Sequence, residues 1–121
     1  MSLTREEALQ GVIALVADIF ERDAAELHER TRLMADLPCE SIDLLEISIR
    51  LGAAFGISVD DEMAFLRSLR LLEGGEALAS AYPHLSGPRR EELLRQREEA
   101  GGVSPLTLGD LADYAVWKVR G

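Results

Sequence analysis

The sequence is poor in the residue types on which several classes of protein depend. A single cysteine excludes an internal disulfide framework, and two histidines are too few for the usual zinc sites. Aromatic residues make up only 5% of the chain, whereas 47% of it is apolar. A core built mainly from Leu, Ile, Val and Ala favours a helical bundle over a β-sandwich. The apolar run at residues 12–17 is far too short to span a bilayer, so no membrane insertion is expected.

Basic residues are also scarce, with 13 against 22 acidic residues and a net charge of −9. This balance argues against nucleic acid and anionic membranes as partners. Residues 36–62 hold seven acidic side chains and one basic side chain, which is two thirds of the net charge. The chain is expected to form one domain over residues 1–121. The first residues lack the basic and apolar pattern of a signal peptide, so a cytoplasmic location is expected.

Hydrophobic periodicity predicts a clear helix at each end of the chain. The first begins at Thr4, which forms a capping box with Glu7, and ends near Arg22 or Asp23. The last begins with the capping pair Thr107 and Asp110, followed by the apolar positions Leu108, Leu111, Ala112, Ala115 and Val119. A loop of about 17 residues follows the first helix, and a loop of that length is usually functional or well packed. Its expected anchors are Leu27, Leu33, Met34 and Leu37.

A second helix is predicted from Ser41 to Phe55, with Gly56 as its terminator. Ser41 follows a turn and has carboxylates on both sides. Its hydroxyl is therefore expected at the positive end of the helix dipole, where a phosphate ester is favoured. The apolar positions of this helix form a wide arc, which indicates burial on two sides or one side facing a cavity or partner.

Residues 57–105 separate the second helix from the last. Residues 62–72 are predicted to be helical, with a stop at Gly74-Gly75. Residues 76–82 are expected to add a short helix. Residues 86–100 are expected to form a charged helix that ends at Gly101-Gly102, with Leu93 and Leu94 as its large apolar residues.

Two segments carry a resemblance to a known family. The run Asp36-Leu37-Pro38-Cys39-Glu40-Ser41-Ile42-Asp43-Leu44-Leu45-Glu46-Ile47 resembles the prosthetic-group attachment motif of acyl carrier proteins, which usually reads Asp-Ser-Leu. The run from Leu106 to Tyr114 resembles the final-helix signature of the same family. The resemblance implies an all-α, acyl-carrier-protein-like four-helix bundle, here with extra inserted helices at about residues 62–104. It also implies a carrier and not an enzyme, with acyl groups held as thioesters on a 4′-phosphopantetheine arm attached to Ser41.

The resemblance also assigns roles to residues around Ser41. The side chains expected to recognise partners are Asp36, Glu40, Ile42, Asp43 and Glu46. Those expected to line an acyl pocket are Leu45, Ile49 and Phe55, with Ile42 at the entrance. The implied partners are a phosphopantetheinyl transferase and acyl-transferring or acyl-modifying enzymes with basic surfaces. The carboxylates cannot activate the hydroxyl, because like charge opposes alkoxide formation, so partner recognition is their expected role.

Two departures point to a specialised lipid or fatty-acyl pathway. Glu40 stands where the family normally has Asp, and residues 52–54 lack the usual acidic side chains. The long segment before the last helix points the same way, and by hypothesis it enlarges or covers the acyl pocket. The acyl group and the oligomeric state stay open.

Alternatives remain at this stage. Ser41 as a mere helix cap would indicate an unmodified interaction module, and an aminoacyl or polyketide carrier is a third reading. Cys39 lies near Ser41, but neither His28 nor His84 is expected to act as a catalytic base, and each is expected at the surface or in a loop. No catalytic residue and no metal site are predicted.

Overall fold

The computed structural model describes residues 2–99 and 103–121, and it confirms the all-α fold class. Its helices are α1 (Arg5–Phe20), α2 (Ser41–Phe55), α3 (Asp61–Ala64), α4 (Gly75–Ala81), α5 (Gly87–Glu99) and α6 (Leu108–Arg120). Single 3₁₀ turns lie at Ala24–Glu26 and Leu69–Leu71. None of the helices in these residues is long and apolar enough to cross a membrane.

The core lies where α1 packs against α2 and α6. Each helix contributes side chains with no more than 1% exposure: Val12 and Val16 from α1, Ile47 and Leu51 from α2, and Leu108 and Leu111 from α6. Burying one such side chain stabilises the fold by about 1.5–3 kcal/mol. The predicted capping boxes of α1 and α6 are present, and Gly56 ends α2 in the left-handed conformation as predicted. The first helix ends at Phe20, two or three residues before its predicted end, because Glu21 adopts a left-handed conformation.

The long loop between α1 and α2 is held against the start of α6. The N–H of Leu33 donates to the carbonyl of Leu106 (3.0 Å), and the N–H of Leu108 donates to the carbonyl of Thr31 (3.1 Å). A Cβ atom on Gly109 would lie 3.0 Å from the carbonyl oxygen of Glu29, so this close approach requires glycine. The predicted anchors Leu27, Leu33 and Leu37 are buried, and Met34 is half-buried. The loop is therefore well packed, as its length indicated.

The prediction of one continuous helix over residues 62–72 is wrong. The helix α3 ends after one turn because Leu66 adopts a left-handed conformation, with φ of 53°. The N–H of Arg67 donates to the carbonyl of Glu62 (3.0 Å) and that of Leu66 to Met63 (3.3 Å), which is the bonding pattern of a Schellman motif. Glycine normally occupies the left-handed position, so nothing in the sequence marks this helix end. Burial of Leu66, which is 3% exposed, accompanies the strain.

Two arginines of α5 hold the helix in place, one through an ion pair and one through hydrogen bonds to backbone carbonyls. Arg89 forms a bidentate pair with Asp110 of α6, at 2.8 and 2.7 Å, and Asp110 is only 2% exposed. Arg97 donates to the carbonyls of Leu69 (3.0 Å) and Leu72. The predicted helices at 76–82 and 86–100 correspond to α4 and α5, but the predicted end at Gly101-Gly102 lies outside the described residues.

His84 lies in the loop between α4 and α5, yet its ring is not a surface group. It packs edge-on against Tyr114, with 5.4 Å between ring centroids, and both of its nitrogens are buried without a hydrogen-bond partner among the described residues. Burial lowers the pKa of His84 to about 4. The hydroxyl of Tyr114 accepts from the N–H of Asp60 (2.9 Å), so this cluster also positions the start of α3. The expectation that His84 lies at the surface or in a loop is met by its loop position, while its ring is buried against the rings of Tyr82, Tyr114 and Trp117.

Candidate functional site

Ser41 is the first residue of α2 and is exposed. The cap position belongs to Glu40, whose backbone is extended (φ −114°, ψ 174°). The N–H of Glu40 donates to Asp43 Oδ2 at 2.8 Å, which satisfies the entrance to the helix. The Ser41 hydroxyl takes part in no hydrogen bond with the described residues. The interpretation of Ser41 as a helix cap is therefore not what the structure shows.

The start of α2 places positive potential near this hydroxyl, and neighbouring carboxylates offset part of it. The first N–H groups of a helix have no partner within it, and the helix dipole places positive potential there. Glu40 and Asp43 already occupy part of that potential with carboxylates. Because Ser41 is exposed, its hydroxyl can accept a phosphodiester without any change in the core.

An exposed apolar row runs along α2 next to Ser41. Ile42, Leu45 and Ile49 are 71%, 57% and 64% exposed. They share one stripe of the helix, whereas the buried stripe of Leu44, Ile47 and Leu51 faces inward. The prediction that Leu45 and Ile49 line an acyl pocket is thus not met in this conformation, because the helical period turns both outward.

The third residue predicted for the acyl pocket, Phe55, lies at the C-terminal end of α2 and is half-buried. Its ring packs closely over Gly11 of α1, where a Cβ atom would lie 2.8 Å from the Phe55 Cζ atom. Phe55 therefore serves the contact between the two helices.

The acidic residues around Ser41 differ in the contacts that they make within the protein. Glu46 pairs with Arg50 at 2.9 Å, and Arg50 also contacts Asp18 of α1. Asp36 accepts from the N–H of Arg32 at 2.8 Å, so it orders the turn before the helix while its side chain stays exposed. Glu40 and Asp36 thus present negative charge to solvent, while the charge of Glu46 is partly compensated.

An apolar pocket of about 240 Å³ lies on the buried side of α2. It is lined by Met34 and Leu44, by five residues between α3 and α4 and one from α5 (Phe65, Leu66, Arg67, Leu69, Arg70, Arg97), and by Val103, Ser104, Pro105 and Leu106. Leu44 is one helical turn beyond Ser41, which is about 4.5 Å along the axis. The sequence does not predict this pocket, because five of its lining residues lie between α3 and α4, where the continuous helix predicted over residues 62–72 does not form.

Cys39 is not a nucleophile in this structure. Burial, with a smaller effect of Asp43, raises the pKa of its thiol to about 11, so the thiol stays protonated near neutral pH. Within the described residues, no three His, Cys, Asp or Glu side chains are grouped to hold a metal ion. The chemistry near α2 therefore centres on the Ser41 hydroxyl.

Comparison with known proteins identifies the family. Residues 10–74 match the family model described as "Phosphopantetheine attachment site". Over 62 residues, the chain is 37% identical to the acyl carrier protein of Lactobacillus acidophilus, which covers 51% of this chain and 78% of that protein. The acyl carrier protein of Rubrobacter xylanophilus is 36% identical over 62 residues, 51% of this chain and 76% of that protein. That of Prochlorococcus marinus is 31% identical over 62 residues, 51% of this chain and 78% of that protein. No solved structure matches.

The chain belongs to the phosphopantetheine-binding acyl carrier protein family. Members of this family are carriers and not enzymes, and their prosthetic group is 4′-phosphopantetheine. The matched segment includes α1 from residue 10 onward, all of α2 with Ser41, and α3, whereas α4, α5 and α6 lie beyond it.

Proposed function

We propose that Ser41 carries the 4′-phosphopantetheine arm, whose terminal thiol holds acyl groups as thioesters. The observation that carries the proposal is an exposed hydroxyl on the first residue of α2 that does not serve as a helix cap. The matched segment contains three other serines. Ser48 donates to Asp61 (2.7 Å) and Ser68 to Glu62 (3.1 Å), and Ser58 lies in the loop after α2. Ser41 alone combines exposure with a helix N-terminus.

The face of α2 beside Ser41 is proposed as the docking surface for the transferase and for acyl-handling enzymes. Ile42, Leu45 and Ile49 supply apolar area, and Glu40 and Asp36 supply negative charge next to it. Complementary charge speeds encounter with a basic surface and fixes orientation, while buried apolar side chains provide most of the affinity. Asp43 and Glu46 add to the negative potential but are already engaged within the protein.

An attached acyl chain is proposed to use the apolar pocket beside Leu44 in place of the outward-facing Leu45 and Ile49. Lining residues at 65–70, 97 and 103–106 form most of the wall of this pocket, which supports the hypothesis that the segment before α6 is an insertion that shapes it. Such a wall would suit a specialised lipid or fatty-acyl pathway. A cytoplasmic location fits the single cysteine and the acidic composition.

Intact mass tests the attachment. The protein is incubated with coenzyme A, magnesium and a broad-specificity phosphopantetheinyl transferase, alongside the variants Ser41→Ala and Ser58→Ala. We expect the wild type and Ser58→Ala to gain one phosphopantetheinyl group and Ser41→Ala to gain none. If the folded wild type gains no mass, the unmodified interaction module becomes the better function.

A further inference from the structure

The apolar pocket beside α2 has an unusual charge pattern for this acidic protein. Arg67, Arg70 and Arg97 contribute to its lining, and none of the lining residues among those described is acidic. The whole chain carries a net charge of −9. The remaining lining residues are uncharged and mostly apolar. The pocket thus joins an apolar interior to positive charge.

The three arginines differ in their exposure and in their contacts. Arg97 is half-buried, and it donates to the carbonyls of Leu69 and Leu72. Arg67 and Arg70 are exposed, and neither forms an ion pair with any described residue. The guanidinium of Arg67 lies 5.9 Å from the centroid of the Phe65 ring, which is itself a wall of the pocket. Two cations without an ion-pair partner among the described residues therefore lie at the edge of an apolar pocket.

We propose that this pocket binds an apolar chain that bears a carboxylate, with the chain inside and the carboxylate on Arg67 and Arg70. Ligand sites commonly combine an apolar lining with a few polar groups that set orientation. A guanidinium pairs with a carboxylate through two parallel hydrogen bonds, a geometry that an alcohol or a methyl group cannot match. The volume of about 240 Å³ suits a single chain and not a bulky ring system.

The carboxylate could come from either of two sources. A free carboxylic acid would bind without the arm, so this source goes beyond the carrier function. An acyl group on the arm that has a second, terminal carboxylate would present the same chemistry, and this source rests on the proposed attachment at Ser41. The two are separated by testing them in different proteins.

The first experiment uses the full chain with Ser41→Ala, which cannot carry the prosthetic group at that residue. Binding of decanoate and of decanol, which differ only in the head group, is measured by NMR titration. We expect decanoate to bind more tightly than decanol. The double variant Arg67→Gln/Arg70→Gln should weaken decanoate binding about fivefold and leave decanol unchanged, the size expected for a partly exposed ion pair. The matched control is Arg95→Gln, an exposed arginine of α5 outside the pocket, which should change neither.

The second experiment uses the wild-type protein with phosphopantetheine attached. The prosthetic group is loaded with acyl groups of equal length that end in a methyl group or in a carboxylate. We expect only the carboxylate-ended group to shift the Nε–H signals of Arg67 and Arg70. An arginine-dependent preference for carboxylate in either experiment supports the proposal, and the experiment in which it occurs identifies the source of the carboxylate. Equal binding of decanoate and decanol, together with no difference between the two loaded groups, would overturn it.

Discussion

Replacing Arg89 with methionine removes the charge that joins α5 to α6 while keeping a long apolar side chain. The Arg89 side chain is 14% exposed, and its guanidinium donates to both oxygens of Asp110 and to the carbonyl of Pro105 (3.0 Å). Burial alone would lower the pKa of Arg89, but the contacts with Asp110 and Glu92 raise it above its ordinary value. The cation is therefore held where its loss leaves a buried carboxylate without its partner.

The cost of this loss can be estimated from the structure. Removing one partner of a buried ion pair typically costs 3–5 kcal/mol. Asp110 keeps its hydrogen bond from the N–H of Thr107 (3.0 Å), so we expect the lower end, about 3 kcal/mol. The free energy of unfolding is measured by urea denaturation for Arg89→Met, with the exposed Arg95→Met as the control.

A double-mutant cycle with Asp110→Asn makes the test specific. The second change neutralises the carboxylate that Arg89→Met leaves unpaired, so the two losses should fall short of additivity by about 2 kcal/mol. A loss below about 1 kcal/mol in Arg89→Met, or fully additive losses, would show that the pair does not anchor α5 in solution.

Three further predictions address other parts of the molecule. Gly11→Ala should lower the free energy of unfolding by about 1 kcal/mol, because its Cβ would lie 2.8 Å from the Phe55 ring, and Phe55→Leu should relieve that loss in a urea-denaturation cycle. Burial lowers the pKa of His84 from 6.5 to about 4, so the unfolded chain binds a proton more readily and stability should fall as the pH is lowered between these values. In His84→Phe, the free energy of unfolding from urea denaturation should depend less on pH over that interval. An unchanged pH dependence would contradict the lowered pKa of His84. Leu45→Ser with Ile49→Ser should change stability by less than about 0.5 kcal/mol, since both side chains are exposed, yet raise the KM of the phosphopantetheinyl transferase reaction severalfold.

The parts of the fold that the sequence predicts are those with local signals. Thr4 and Thr107 each begin a helix through a side-chain cap, and Gly56 ends one through a left-handed conformation. The helix end at Leu66 has no such signal, because the left-handed conformation there falls on a leucine, whose side chain is 3% exposed. Tertiary packing, and not local propensity, decides that segment.

The candidate site divides in the same way. The position of Ser41 at the start of α2 follows from the turn before it and the apolar pattern after it. Which apolar stripe of α2 faces inward could not be read from the pattern, since the stripe with Leu45 and the stripe with Leu44 are equally apolar. The packing of α1 against α2 selects the Leu44 stripe for burial.

The contacts that anchor the segment before α6 leave the face of α2 beside Ser41 exposed. Arg89 ties α5 to the capping box of α6, and Arg97 ties α5 to the turn at Leu69–Leu71. Neither anchor lies on the outward stripe of α2, where Ile42 and Ile49 remain more than 60% exposed. The segment therefore adds a wall to the pocket on the inner side of the helix and leaves the apolar row beside Ser41 uncovered. A partner enzyme could reach that row and the serine together, without moving α4 or α5.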